Sequence, residues 1–371
     1  MTTETRDSHP YHMHDAILAQ PEAFVRAIEH NRDAVDELAS RVASCERIFL
    51  AGIGTSHHAS LVGEHLMRAY GGGPDVRAVH SFDLALYGPE LRQVDCVVAV
   101  SHRGAKRYTA LALEQAREKG CPTALITGEA GSGEGRADAV FRTVTQERSP
   151  AHTVSYTTAV AVLALLAGRI GYHRTGSAAL PEELLRERVP EALRAALGTE
   201  AEVAALGTEV EVAAFAREHI GRRRIWLLGG GPSAVTARET ALKIKETSYL
   251  QAEGMPTETM LHGPFQCVEA DDLFVLVAPS GAARERTLEV AELVEEVGAP
   301  YVIFGDDTTE TRPTAAGVLR VPEVPEPFSA LSCLVPLQLF AYHLALARGT
   351  NPDSFRGDDP RFARADVSGR L

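Results

Sequence analysis

The sequence has no C-x-x-C pair, no long apolar run, a single tryptophan and fewer basic than acidic residues. Each shortage excludes something. Cys45, Cys96, Cys121, Cys267 and Cys333 stand far apart without metal-ligand spacing, so buried, reduced thiols are expected and no metal. No segment approaches the roughly 18 uninterrupted apolar residues of a membrane-spanning helix. The opening residues, MTTETRDSHPYHMHDA, are polar and lack a signal-peptide pattern. A cytoplasmic protein with no membrane partner is the expectation. Lys and Arg number 37 against 50 Asp and Glu, a formal charge of −13. A nucleic-acid partner is excluded on that ground, because phosphate backbones need a basic face. A local basic pocket for a small phosphorylated ligand is still compatible with it.

What is present points to a globular chain of two domains. Hydrophobic residues make up 45% and charged residues 23% of 371 positions, enough for two separate cores. The strongest signal is an internal repeat. RIFLAGIGTS begins at Arg47 and RIWLLGGGPS at Arg224, an offset of 177 (224 − 47). DCVVAVSHRG at Asp95 and DLFVLVAPSG at Asp272 keep that offset of 177 (272 − 95). PTALIT at Pro122 matches PYVIFG at Pro300, and VFRTV at Val140 matches VLRVP at Val318, both at 178. Each is a short apolar run ending near Gly, Ser or Thr, the pattern of a strand buried on both faces.

Between the runs, HASLVGEHLMRAY, RYTALALEQAREKG, ARETALKIKETSYL and RERTLEVAELVEEVG repeat apolar residues at helical spacing. Strand–helix alternation predicts an α/β chain of two tandem doubly wound parallel sheets. The expected segments are an N-terminal helical segment (1–34), a first domain (35–175), a helical linker (176–210), a second domain (211–347) and a tail (348–371). The tail is polar and either frays or folds over a site, fraying being the usual fate of such a segment.

In such sheets ligands bind beyond the carboxyl ends of the strands. The first copy offers GIGTSHH, with Gly54, Thr55 and Ser56, and SHRGAK, with Ser101, His102, Arg103, Gly104 and Lys106. Glycine and hydroxyls at a helix start favour an anion, and Arg103 and Lys106 can neutralise a phosphate. His152 joins these as a substrate-binding candidate. The second copy keeps the glycines in GGGPSAV, but its APSGAA loop has no cation. Instead it places Glu239, Lys243 and Glu246 at i, i+4 and i+7 on one helical face, where the first copy has Val62 and Ala69 opposite the two glutamates. Taken alone, that spacing most often marks a solvated salt-bridge ladder. His262 follows, before Gly-Pro. Carboxylate, amine and imidazole together suit enolisation, which moves a proton between adjacent carbons and opens a sugar ring. One composite site per chain is expected.

The GTS at Gly54–Ser56, the loop at Ser101 and E-T-A-L-K-I-K-E-T-S-Y followed by A-E and H-G-P resemble tandem sugar isomerase (SIS) domain proteins, among them the isomerase half of glucosamine-6-phosphate synthase. The resemblance covers nearly the whole chain from about residue 14, through LVPLQLFAYHLALARGTNPD. It implies a flavodoxin-like fold and no cofactor. It implies that Glu246 shuttles a proton between C1 and C2, with Lys243 at the hydroxyls and Glu239 in support. His262 opens the ring, reaching in from the partner of a homodimer with shared active sites. Ser56 and the loop at Ser101 hold the phosphate.

Three departures stand beside it. His102, Arg103 and Lys106 occupy a loop that in the family is rich in Ser, Gln and Thr. The tail has no lysine where the synthase supplies one; Arg356, Arg361 and Arg364 are its cations, and arginine forms no Schiff base. Too few residues precede the first strand for a glutaminase domain, so ammonia is expected from solution or from a separate donor protein. The implied substrate is a hexose phosphate such as fructose 6-phosphate or glucosamine 6-phosphate, isomerised without a metal, or aminated or deaminated. A sugar-phosphate sensor without turnover and a specialised enzyme for an unusual sugar are the alternatives.

Overall fold

The computed structural model describes residues 6–104, 106–133, 135–145, 147–198 and 208–365. Helices α1 (His12–Leu18) and α2 (Gln20–Val42) lead into β1 (Arg47–Gly52), α3 (Thr55–Tyr70), β2 (Asp75–His80), α4 (Ser81–Tyr87), β3 (Asp95–Val100), α5 (Arg107–Glu118), β4 (Thr123–Thr127), β5 (Ala139–Arg142) and α6 (Val154–Thr175). After α7 (Val189–Leu197) and α8 (Thr208–His219) come β6 (Ile225–Gly229), α9 (Pro232–Thr247), β7 (Ala252–Pro256), α10 (Thr257–Leu261), β8 (Leu273–Val277), α11 (Arg284–Val297), β9 (Tyr301–Asp306) and β10 (Gly317–Val321). Helices α12 (Glu326–Ser332), α13 (Leu334–Arg348) and α14 (Pro360–Ala365) complete the order.

Two parallel sheets result, ordered β2-β1-β3-β4-β5 and β10-β9-β8-β6-β7. Read from its other edge, the second repeats the first strand for strand. In each, order reverses beside the first strand of the copy, so a crevice opens between the ends of β1 and β3 and between those of β6 and β8. All eight repeat runs become strands. Two further strands, β2 and β7, lie at sheet edges and again start 177 residues apart (252 − 75).

The inner strands are apolar because both faces are covered. Phe49, Val97, Leu113 and Leu125 pack in one core; Trp226, Phe274, Leu276 and Ile303 pack in the other. Full burial of each such side chain stabilises by about 1.5–3 kcal/mol. At the amino end of each sheet, away from the crevice, one ion pair recurs. Arg47 donates through Nε to Asp95 at 2.8 Å, and Arg224 through Nε to Asp272 at 3.0 Å. Both aspartates are fully buried. Desolvation pushes each carboxyl up, but the arginine bonds and backbone amides outweigh it and hold both below the usual range. The single tryptophan, Trp226, donates its Nε1 to Asp272 at 3.0 Å.

The chain divides into two compact units that do not follow the segmentation read from the sequence. The first-sheet unit holds Ala19–Glu147, His152–Pro190 and the described residues from Arg361; the second-sheet unit holds the described residues up to Leu18, Arg148–Ala151 and Glu191–Pro360. Helix α2 therefore belongs with the first sheet, packed along α6, and α1 with the second, packed on α13. The linker contains a π-helical turn, Leu184–Arg188, before α7. Residues 199–207 of it lie outside the described residues. The helix Val154–Thr175 and the stretch Glu326–Arg348 are long and apolar enough to cross a membrane, yet both are largely buried. Four cysteines are buried as expected, but Cys267, the last residue of a short 3₁₀ turn, is exposed.

Candidate functional site

Two loops leave β1 and β3 at the crevice of the first sheet. Gly54, at φ +58°, turns the chain into α3, and a Cβ at Gly52 would lie 2.3 Å from the Ser56 carbonyl. Both glycines are thus required by the turn itself. The amides of Ser56, His57 and His58 already donate to the carbonyls of Ile53 and Gly54, so this helix start offers its dipole and hydroxyls more than free amides. A narrow pocket opens here, lined by Thr55, Ser56, Thr127, Thr143, Ser155 and Tyr156, with the rings of His102 and His152.

Of the described residues of the second loop only His102 reaches this pocket, and its two cations do not line it. Amides of Gly128 and Ser132 donate to His102 and Arg103 carbonyls, pinning the loop against residues 127–132. Gly104, at φ +70°, sits so close that a Cβ would lie 1.8 Å from the Ser132 carbonyl oxygen. Arg103 is exposed and Lys106 half-buried, and neither lines the pocket. Desolvation, helped by Arg103, lowers the Lys106 ammonium pKa. Ser101 is buried at 3% exposure, and its Oγ has no hydrogen-bond partner.

Beneath the histidines lies Glu147, which the sequence reading missed. Its Oε1 accepts from the Thr153 amide at 2.7 Å and hydroxyl at 2.9 Å; its Oε2 accepts from the Ser155 amide at 3.1 Å and hydroxyl at 2.6 Å. It caps α6 from upstream, satisfying first-turn amides. His152 Nδ1 lies 3.5 Å from the carboxylate, an ion-pair distance. Burial pushes the Glu147 carboxyl up, but His152, the Ser155 hydroxyl and the Thr153 amide prevail and hold it at about 2. The Glu147 amide donates to His102 Nε2 at 3.1 Å, so a neutral His102 carries its proton on Nδ1. Burial and the neighbouring His152 push His102 down to about 4, against the pull of Glu147. The two rings meet edge-on, centroids 4.9 Å apart.

The corresponding crevice of the second sheet differs. Gly231 adopts φ +54°, ψ −127° where Gly54 has +58°, −128°, so the turn is duplicated. Yet the carboxylate of Glu326 occupies the space between the two loops. It accepts from the Ala282 amide at 3.1 Å, and a Cβ at Gly231 would stand 4.0 Å from its Oε1. Arg284, also in this wall, is committed to the Thr308 hydroxyl at 2.6 Å and lies 3.8 Å from Asp306.

Helix α9 carries the charged face. Glu239 and Lys243 are fully buried, so the expected solvated ladder is replaced by an internal one. Lys243 Nζ lies 2.6 Å from Glu246 and 3.4 Å from Glu239, and Glu246 alone is open to solvent, at 21% side-chain exposure. A buried ammonium between two carboxylates is paired on both sides, the condition under which charges persist inside a protein. His262 caps α10 and is not gathered with them. It is 78% exposed and its partner is Glu258, at 3.2 Å.

The tail does not fray at its start. Asp353 accepts from the amides of His12 at 2.7 Å and Met13 at 3.1 Å, and Asn351 donates to the Arg6 carbonyl at 2.9 Å. The Arg356 guanidinium lies over the Tyr249 ring, 4.3 Å from its centroid, and the Arg356 amide donates to the Tyr249 hydroxyl at 2.9 Å. Tyr249, at φ +60° just past α9, and Arg356, at +57°, both hold the left-handed conformation that bulky residues avoid. Arg361 lies in α14 and is exposed; residues 366–371 fall outside the described residues. Among the described residues, no group of three or more His, Cys, Asp or Glu could hold a metal ion.

Comparison with known proteins agrees with the repeat. The SIS domain family matches residues 41–169 and again 220–348. The glutamine–fructose-6-phosphate aminotransferase [isomerizing] of Pyrococcus horikoshii is 31% identical over 339 residues, 91% of this chain and 55% of the relative. The chain thus spans about half the length of the curated relatives it matches. Among solved structures, the C-terminal domain of glucosamine-fructose-6-phosphate aminotransferase from Francisella tularensis superposes with a TM-score of 0.82 at 22% identity, covering 94% of this chain and 99% of that one. Tagatose-6-phosphate ketose/aldose isomerase from Escherichia coli gives 0.75 at 22% identity, covering 96% and 98%. With two matched segments, each carrying one of the two equivalent sheets, the chain belongs to the SIS domain family as a tandem member.

Proposed function

We propose that the chain isomerises a hexose phosphate of the fructose 6-phosphate or glucosamine 6-phosphate type by proton transfer. The observation that carries this reading is the buried Glu239–Lys243–Glu246 set, whose single partly exposed member is a carboxylate. Glu246 takes the C2 proton of the open-chain aldose and returns it to C1, passing through an enediol. Lys243 fixes that carboxylate and supplies positive charge beside the developing enediolate, while Glu239 neutralises the ammonium from behind. The pocket at Ser56 and Thr55 holds the phosphate. The exposed His262 is offered to a second copy, where it opens the ring, making the enzyme a homodimer. Similarity to aminotransferases also supports an aminating or deaminating reaction through the same proton shift, with ammonia free or from a donor protein.

Glu246→Gln should lower turnover by about 10²- to 10⁴-fold, the usual contribution of a general base, while calorimetry finds fructose 6-phosphate still bound. Undiminished turnover refutes the assignment; binding with no turnover in the parent chain would make it a sensor. Ammonia release from glucosamine 6-phosphate distinguishes deamination from simple isomerisation. Mixing inactive Glu246→Gln and His262→Asn chains should restore about a quarter of activity if each site draws on both copies of a two-fold dimer.

A further inference from the structure

A phosphate dianion accepts hydrogen bonds and donates none, so a pocket that holds one must offer donors. No lysine or arginine lines the first-sheet pocket, and several of its hydroxyls have already given away their single proton. Thr127 Oγ1 donates to the His102 carbonyl and Thr143 Oγ1 to the Thr127 carbonyl, each at 3.1 Å. Ser155 Oγ donates to Glu147 at 2.6 Å. Toward a ligand these three hydroxyls can only accept.

The imidazole of His102 is in the opposite state. Its Nε2 accepts from the Glu147 amide at 3.1 Å, so that nitrogen carries no proton and Nδ1 does. Nδ1 is buried and has no hydrogen-bond partner. An unpaired buried donor is costly, and rare enough in folded proteins to require a reason. The ring that carries it lines the pocket, and Gly128 makes room for that edge, since a Cβ there would lie 2.9 Å from Nδ1 and 2.7 Å from Cε1. Glu147 holds the arrangement through both its side chain and its backbone. The carboxylate is tied to the first turn of α6 by the amides and hydroxyls of Thr153 and Ser155, and the amide then meets His102.

We propose that His102 Nδ1–H is a hydrogen-bond donor reserved for an oxygen of a phosphate monoester, and that Glu147 is the positioning residue that sets its tautomer. This rests on the reading that the pocket takes a sugar phosphate, and it gives the role to a neutral N–H in place of Arg103 and Lys106, which lie outside the lining. No covalent bond is made or broken and no proton changes place. The donor is the same neutral ring before and after binding.

Nitrogen-15 NMR of the full chain, labelled at histidine, tests both parts. A neutral imidazole in water mostly carries its proton on Nε2, whereas His102, assigned by its absence in His102→Gln, should show a protonated Nδ1. Fructose 6-phosphate, and inorganic phosphate alone, should shift that Nδ1 resonance. By calorimetry His102→Gln, whose amide reaches the place of Nε2, should bind fructose 6-phosphate about ten- to a hundredfold more weakly, the loss of a hydrogen bond to a charged group. His102→Asn, whose amide nitrogen can stand at the place of Nδ1, should recover most of that loss; equal losses in the two variants overturn the donor role. Glu147→Gln should lose the Nδ1–H signature and raise KM, with kcat changed by less than about twofold, the split expected when binding rather than chemistry is disturbed. His102 protonated on Nε2 in the parent chain overturns the proposal, as does ligand binding that leaves its Nδ1 unmoved. If neither ligand binds, the sugar-phosphate reading itself fails and the donor role falls with it; the tautomer, read without ligand, tells the two failures apart.

Discussion

The two crevices share a sheet order, a turn conformation and a glycine placed 177 residues apart, yet they hold opposite contents (231 − 54). In the first, hydroxyls and two histidines surround a pocket and the carboxylate lies beneath it. In the second, a carboxylate from α12 reaches in between the loops and takes an amide for itself. The lesson is that a duplicated turn does not duplicate the side chains that fill its crevice. The Glu239–Lys243–Glu246 set follows the same division, since α9 carries it and α3 does not.

The contrast can be tested at several strengths. Lys243→Met should have the largest effect, leaving Glu239 buried without its cation. A loss of about 3–5 kcal/mol is expected, read from denaturant unfolding followed by Trp226 fluorescence in that unit. Val62→Ala, at the first-copy position matching Glu239, removes only buried methyl groups and should cost less, about 1–3 kcal/mol.

Next come the acid windows of the first-sheet unit. His102 is held near 4, below the imidazole value of 6.5, so the unfolded chain takes up its proton first as the pH falls. Stability should therefore drop between about pH 6.5 and 4, by up to about 1.4 kcal/mol per pH unit. Glu147 adds a second loss between 4.5 and about 2. Hydrogen exchange within that unit should show the first window in the parent chain and lose it in His102→Gln.

Glu326→Ala should cost about 1–2 kcal/mol, the worth of a hydrogen bond to a charged group, without altering affinity for fructose 6-phosphate. A gain of a second phosphate equivalent by calorimetry would show that the carboxylate alone keeps the second crevice closed. The smallest expected effects are Gly54→Ala and Gly231→Ala, about 1 kcal/mol each from the left-handed turn. Markedly unequal losses would show that the duplicated turns carry different loads.

Most of the fold was legible because the repeat aligns eight apolar runs. The strands that escaped, DVRAVH and AEGMP, sit at sheet edges, where one side needs no covering and Gly and Pro are tolerated. The charged face of α9 was legible as a face, but its burial was not. Spacing on a helix says which residues share a side, and only packing against β7 and α13 decides whether that side is dry. The placement of Arg103 and Lys106 outside the pocket lining was not legible, because composition reports a loop's charge and not its direction. Glu147 escaped because it caps α6 from six residues ahead of the N-cap (153 − 147), outside the local spacing of a capping box.

The Arg47–Asp95 and Arg224–Asp272 clamps have a consequence for how such a chain could evolve. They stand at the amino end of each sheet, opposite the crevice loops, and they are alike in both copies. Mutations that rebuilt the crevice loops would have left these anchors untouched, so a twin could change its trade while keeping its foundation.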